Sequence, residues 1–226
     1  MYDRIVRHCE LDARSLVLDV GAGPGKGTRP LIERGIPVLA SEPSPSMIRQ
    51  GLEFYPNLQY VCSAAEELPF PAGQFDLVTA AQSFHWFDHA KALAEFFRVL
   101  RPRGFLAVYW NDRAPDHAPA KFLEDLATKY NPSHQRDYRT RDWRTIVEQD
   151  GYFRVAYHAQ YSFTVPMQVD DWIGLARSIS YVQTIGDEKL REFEAELRSG
   201  MSQFHNVDCA YVTGVWLSEK TGKGCT

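Results

Sequence analysis

A doubly wound, mostly parallel α/β sheet is the fold this sequence predicts, on three observations. Short continuous apolar runs alternate with longer segments of helical periodicity, the pattern of parallel strands joined by crossover helices. The first run passes straight into a glycine cluster, "VLDVGAGPGKGT" (Val17–Thr28), at the point where open α/β sheets bind their ligands. From about Pro115 the rhythm changes, and helical stretches dominate.

The strand candidates are Ser15–Val20, Pro37–Ser41, Leu58–Cys62, Phe75–Ala81 and Gly104–Trp110. Each is a continuous apolar run, as suits a strand covered on both faces. The clearest helix is "DHAKALAEFFRVLR" (Asp88–Arg101), with Leu93, Phe96, Phe97 and Leu100 at helical spacing. Arg98 and Arg101 suit its C-terminal dipole, and Pro102 is expected to stop it. Farther on, "APAKFLEDLATKY", "TRDWRTIVEQDG" and "DEKLREFEAELRSG" predict helices, whereas "FRVAYHAQYSFTVP" and "CAYVTGVWLSEK" predict strands.

The bulk properties exclude several classes. A net charge of −4 is the wrong sign for a protein that coats nucleic acid. The arginine-rich "HQRDYRTRDWR" (His134–Arg144) is interrupted by aspartates and reads as a solvated loop and helix start. No apolar run approaches the roughly 18–20 residues of a membrane span, and no signal-peptide pattern opens the chain. Cys9, Cys62, Cys209 and Cys225 are scattered, which points to reduced thiols in a cytoplasmic protein. His85 and His89 stand four apart without a third ligand in view, so no metal is expected.

Three ligands compete for the glycine loop. A triphosphate loop needs G-x-x-x-x-G-K followed by Ser or Thr. Here Gly27 follows Lys26, and Val20 stands five before Gly25. A dinucleotide loop needs G-x-G-x-x-G, but Gly21, Gly23 and Gly25 are spaced G-x-G-x-G, with Lys26 where the third glycine belongs. Asp19 would also be awkward beside a pyrophosphate. S-adenosylmethionine carries no phosphate, a sulfonium, an ammonium and two free ribose hydroxyls, and so asks for acids. Asp19 suits the ammonium. Glu42, twenty-one residues after Gly21 and at the end of the second strand, suits the ribose, although a dinucleotide ribose would want the same acid.

The pieces "VLDVGAGPGKGT", "SEPSPSMI", "SAAEELPFPAGQFDLVTAAQSFHWFD" and "FRVLRPRGFLAVYW" follow in order from about Ser15 to Trp110. In them the chain resembles the class I methyltransferases, in the small-molecule branch with a type 11 domain. "QSFHWFD", "RSISY" and "YVTGVWLSEK" are most similar to trans-aconitate methyltransferase and its relatives. The resemblance implies seven strands with the last one antiparallel. It implies S-adenosylmethionine as cofactor and S-adenosylhomocysteine as product. It also implies a cofactor site of Asp19, Gly21, Ala22, Gly23, Gly25, Glu42, Pro43, Met47, Ala65, Glu66 and Gln82, with Met47 against the adenine and Ala65 and Glu66 at its edge. Many relatives carry an aspartate at the position of Ala64. Only fourteen residues precede Ser15, where relatives usually carry a longer leader, so a shortened cover or a truncated chain is expected. The expected organisation is a single domain with a cofactor-binding core (1–114), substrate-side helices and a lid with one strand (115–206), and a final strand (207–220).

Substrate groups are expected at the carboxyl ends of the fourth and fifth strands and in the late helical region. Ser83, His85, Trp86, Trp110, Arg113, Trp172, Arg177, Ser178 and Tyr181 are the candidates. Arg113 could pair with a substrate carboxylate. His85 is the candidate base, with hydrogen-bond donation to substrate and plain packing as its alternatives. A nicotinamide-dependent oxidoreductase and a non-catalytic S-adenosylmethionine-binding protein remain the competing functions. A nucleic-acid base methyltransferase would place Asn/Asp-Pro-Pro-aromatic where this chain has "AAQSFHW".

Overall fold

The computed structural model describes residues 1–114, 116–132, 140–202 and 204–223. The strands are β1 (Val17–Val20), β2 (Val38–Ser41), β3 (Gln59–Val61), β4 (Phe75–Ala81), β5 (Leu100–Arg113), β6 (Phe153–Gln168) and β7 (Asn206–Lys220). The helices are α1 (Tyr2–His8), α2 (Arg29–Ile32), α3 (Pro45–Phe54), α4 (His89–Val99), α5 (Ala118–Tyr130), α6 (Trp143–Glu148), α7 (Val169–Arg177), α8 (Ser180–Gln183) and α9 (Asp187–Met201). Among the described residues no helix is long and apolar enough to cross a membrane.

The strands form one seven-stranded sheet in the order β3-β2-β1-β4-β5-β7-β6. The pairs β1–β2, β1–β4, β2–β3 and β4–β5 are all parallel. The last strand runs against its neighbours, as expected. At one end of β6 and β7, the Thr221 N–H donates to the Tyr152 carbonyl (2.9 Å). Farther along both strands, the His158 Nδ1–H donates to the Val215 carbonyl (2.9 Å). Residue numbers climb on one strand as they fall on the other, the mark of antiparallel pairing.

Two expectations about element ends need correction. Helix α4 stops at Val99, two residues short of Arg101, and Leu100 already has the extended φ of −73° and ψ of 137°. Pro102 disfavours helical geometry at the residue before it, and Leu100 is buried and paired with Phe75. The fifth strand therefore starts four residues earlier than the apolar run suggests. The predicted helix "TRDWRTIVEQDG" shrinks to α6, whose N-cap is Asp142; its carboxylate accepts the Thr145 N–H. Residues 134–139 of the arginine-rich segment lie outside the described residues.

The chain divides into two compact units. The first comprises Met1–Trp110, Asp142–Gln160 and Gly214–Thr226, the second Asn111–Arg141 and Tyr161–Thr213. These cuts fall differently from the expected division at 114 and 206, because α6 and the first half of β6 join the first unit. Its core is the sheet, where Val17, Leu18, Leu77, Val78, Leu106 and Val108 are fully buried. Helix α4 covers it with Ala92, Leu93, Phe96 and Val99. The second unit has a core of its own, from Leu123 and Leu126 of α5, Trp172 and Ile173 of α7, and Phe193 and Leu197 of α9.

Asp76 on β4 ties the entrance of the sheet together. Its carboxylate accepts the Leu16 N–H (2.7 Å) just before β1 and pairs with Arg101 on β5 (2.5 Å). Asp76→Ala strands the Leu16 donor, so we expect a stability loss of about 2 kcal/mol in urea unfolding. A change under about 0.5 kcal/mol would remove this role.

Candidate active site

Parallel register fixes the floor of the site. Val20 lies opposite Ser41, so β1 and β2 end level with each other. The chain leaves β1 at Gly21, and the N–H groups of Gly21 and Ala22 both donate to the Ser41 carbonyl (2.8 and 3.1 Å). The bend closes on itself through the Gly25 N–H, which donates to the Ala22 carbonyl (3.0 Å).

Two glycines here have distinct reasons. Gly21 has φ +64°, and a Cβ there would stand 2.6 Å from the Cβ of Ser83, far inside van der Waals contact. Gly23 has φ +55°, and a Cβ on it would meet nothing within 4 Å. Its bare backbone faces open space, which lets a ligand approach closely.

Glu42 follows Ser41 directly and is only 8% exposed. One carboxylate oxygen accepts the Gly23 N–H (2.9 Å), the other the Ser44 N–H (3.0 Å). A carboxylate has about four acceptor positions, so two bonds from backbone leave room for two more. A vicinal diol would use them. Pro43 and Met47 are exposed next to it, Met47 by 44%. Ala65 is buried, and the Glu66 carboxylate accepts the Asp88 N–H (2.8 Å) at the start of α4.

Asp19 sits beneath the bend and is fully buried. Its two oxygens accept from Thr79 Oγ1 (2.7 Å) and from Thr28 Oγ1. Thr79 is its register partner on β4. Burial pushes the carboxyl up to about 6, against the pull of both threonine hydroxyls, and the negative charge of Glu42 adds to the rise. Above that chain of bonds, the Tyr2 hydroxyl donates to the Gly27 carbonyl (3.1 Å) and lies 3.4 Å from the Tyr109 hydroxyl. Tyr60 donates to the Gly23 carbonyl (3.0 Å), and burial, then the charges of Asp19 and Glu42, raise its phenol to about 12. Thr28, Thr79, Tyr2, Tyr60 and Tyr109 are the residues that sequence reasoning missed. Strand pairing brings Thr79 to Asp19, whereas Thr28 comes from the loop before α2 and Tyr2 from α1, and the sequence carries no signal for these meetings.

After β4 the backbone turns through Gln82, a non-glycine residue at φ +59°. Ser83 is buried and its hydroxyl donates to the Val20 carbonyl (2.8 Å), so it shapes the bend from below. A single 3₁₀ turn, Phe84–Trp86, follows. Phe84 anchors it and is fully buried, whereas Trp86 is 71% exposed. His85 lies between them, half-buried, its ring 4.8 Å from that of Trp86. Trp110 is 2% exposed, stacked on Trp143 at 4.5 Å, with its indole N–H donating to His85 Nδ1 (3.1 Å).

The remaining candidates belong to the second unit. Trp172 is buried in that unit's core, in the same cluster as Cys209. Arg177 pairs with Glu194 (2.6 Å), and Ser178 Oγ donates to the Leu175 carbonyl (2.7 Å) at the end of α7. Arg113 is half-buried at the end of β5. The side chain of Tyr181 lies outside the described residues.

Gly21→Ala should lower stability by about 2–4 kcal/mol, through the left-handed φ and the overlap with Ser83. In the Gly21→Ala, Ser83→Gly double variant the overlap is gone, so chemical unfolding should give a loss smaller than the sum of the singles by about 1 kcal/mol. Strict additivity would mean the two side chains do not meet.

Residues 18–108 match a protein-family model described as a methyltransferase domain. An uncharacterized methyltransferase of Mycobacterium tuberculosis is 44% identical over 97 residues, 43% of this chain and 40% of that protein. An uncharacterized methyltransferase-like protein of Schizosaccharomyces pombe is 29% identical over 220 residues, 93% of this chain and 84% of its own. The chain spans about 40% of the length of the first curated relatives it matches. A solved structure from Anaeromyxobacter dehalogenans shares the fold, with a TM-score of 0.65 at 23% identity over 96% of this chain and 94% of that one. Residues 18–108, from β1 to β5, are thus similar to a methyltransferase domain.

Proposed function

We propose that the protein is a cytoplasmic enzyme that moves a methyl group from S-adenosylmethionine to a small-molecule acceptor, leaving S-adenosylhomocysteine. The observation that carries this is Glu42: it pins the glycine bend with one oxygen, caps the next turn with the other, and keeps acceptor capacity for two hydroxyls. Its neighbour Asp19 makes the floor of the bend acidic, which favours a cationic, phosphate-free ligand.

The resemblance to the class I methyltransferases supplies the roles. Gly21 to Gly25, with Ala22, offer bare backbone along the ligand. Glu42 would take the ribose hydroxyls, Met47 would lie against the adenine, Ala65 and Glu66 would border its edge, and Pro43 and Gln82 would complete the cofactor site. Asp19 is out of reach of solvent beneath the bend, so it acts on the ammonium by charge through the bend. Bound S-adenosylmethionine supplies an electrophilic methyl on a good leaving group. The protein's share is to align the acceptor and exclude water, and such placement is worth about 7–11 kcal/mol. Trp86, exposed beside His85, offers a flat apolar surface for an aromatic or carboxylate-bearing acceptor, in keeping with the resemblance to trans-aconitate methyltransferase.

Titration calorimetry with S-adenosylhomocysteine and with NAD tests the proposal. We expect the former to bind and NAD not to, and Glu42→Ala to weaken binding about a hundredfold, as loss of two charge-assisted hydrogen bonds implies. Tight NAD binding, or unchanged affinity in the variant, would overturn it. Methyl transfer to metabolites, read by product mass, separates an enzyme from a mere binder of the cofactor.

Asp19 gives binding a pH dependence of known sign. Its carboxyl is protonated below about 6 in the free protein, and a cation above it favours the ionised form. Binding then expels a proton, so affinity should rise by up to about tenfold per pH unit below 6 and level off above it. Asp19→Asn should flatten that curve. For folding alone the sign is opposite: the raised value contributes stability below the ordinary carboxylate range that is lost as pH rises through about 6.

A further inference from the structure

We infer that Tyr60 is a positioning residue: its hydroxyl holds the glycine bend at Gly23 in one shape before the cofactor arrives. This rests on the methyltransferase function above and adds a residue to its binding machinery. Gly23 has φ +55°, and a Cβ there would meet nothing within 4 Å, so no neighbouring atom crowds its α-carbon on that side. Unrestrained glycine is the most mobile of residues. The restraint here comes from two side chains. Glu42 accepts the Gly23 N–H (2.9 Å), and the Tyr60 hydroxyl donates to the Gly23 carbonyl (3.0 Å).

The two bonds act on different peptide planes. The N–H of Gly23 belongs to the peptide before it, the carbonyl to the peptide after it. Peptides are planar, so a residue has only φ and ψ to vary. Tying down the plane on either side of Gly23 restrains both. The second plane runs into Pro24, which has no N–H, so the carbonyl is the one group by which hydrogen bonding can hold it. Glu42 alone would leave that plane free to turn about ψ. Burial, then the charges of Asp19 and Glu42, raise the phenol of Tyr60 to about 12, and it stays a donor near neutral pH.

Glycines also make the seat of that hydroxyl. Tyr60 stands on β3, at the edge of the sheet. A Cβ on Gly51, inside α3, would overlap the Tyr60 hydroxyl and stand 2.7 Å from Cζ of its ring. A Cβ on Gly25 would lie 3.0 Å from the same hydroxyl, closer than ordinary contact. Glycine inside a helix is less stable than alanine, and Gly51 is buried. Helix α3 thus gives up stability at the one place where the ring of Tyr60 passes.

Gly23–Pro24 is the single Gly-Pro pair of the sequence, so carbonyl-¹³C glycine with ¹⁵N proline singles out this one carbonyl by its one-bond coupling. Its ¹³C relaxation, with no ligand present, reads the hold directly and reports motion within the folded state, which a loss of global stability leaves alone. We expect an order parameter of about 0.85 in the wild type, falling to about 0.6 in Tyr60→Phe, which keeps the ring but not the donor. Gly51→Ala, although better suited to a helix, should evict the hydroxyl and loosen the carbonyl to the same degree. In calorimetry both variants should bind S-adenosylhomocysteine about five- to tenfold more weakly, one hydrogen bond's worth. A mobile carbonyl in the wild type, or a rigid one in either variant, overturns the hold. A loosened carbonyl with wild-type affinity overturns its part in binding. A wild-type protein that binds no S-adenosylhomocysteine removes the function proposed above, and the carbonyl then decides the hold by itself.

Discussion

Everything at the candidate site depends on two parallel strands ending at the same level. Because Val20 pairs with Ser41, the chain leaving β1 finds the Ser41 carbonyl at hydrogen-bond distance and folds onto it with two successive N–H groups. Glu42 is then adjacent by necessity, and its carboxylate reaches the third N–H in the bend, that of Gly23. A slip of one residue between β1 and β2 would turn that acid to the other side of the sheet. The glycines permit the bend, but register decides what it encloses.

Beneath the bend, burial and hydrogen bonding oppose each other. Asp19 is out of water altogether, which disfavours its charge, and two threonine hydroxyls favour it. The balance leaves the group near the middle of the accessible pH range, where a nearby cation tips it. A charge held so close to neutrality responds to a ligand with little structural movement.

The fold is largely legible in the sequence, and the site only where backbone makes it. Strands such as Phe75–Ala81 are continuous apolar runs because both faces are covered, and the run and the strand coincide. Gly21, Gly23 and Glu42 are legible for a related reason: their roles are set by the chain's own turn and by its nearest strand. Side chains whose roles depend on distant neighbours are not. Trp110 and Trp172 look like exposed recognition aromatics in one dimension, yet both are buried in packed clusters. Ser83 and Ser178 look like ligand contacts, but each donates its hydroxyl to a nearby carbonyl. Leu100 has helical spacing behind it, and pairing with Phe75 overrides that propensity.

The place of β7 between β5 and β6 bears on how the molecule assembles. β6 is synthesised before β7, so it must wait beside an unfilled slot instead of joining β5 directly. A premature β5–β6 ladder would satisfy the same backbone groups and would have to dissociate before the last strand could enter. Such long-range closure, made after most of the chain is already compact, favours slow folding with off-pathway species. The fifteen-residue strand β7 therefore has to enter between two strands that precede it in the chain, a closure that cannot begin until nearly all of the sheet has been made.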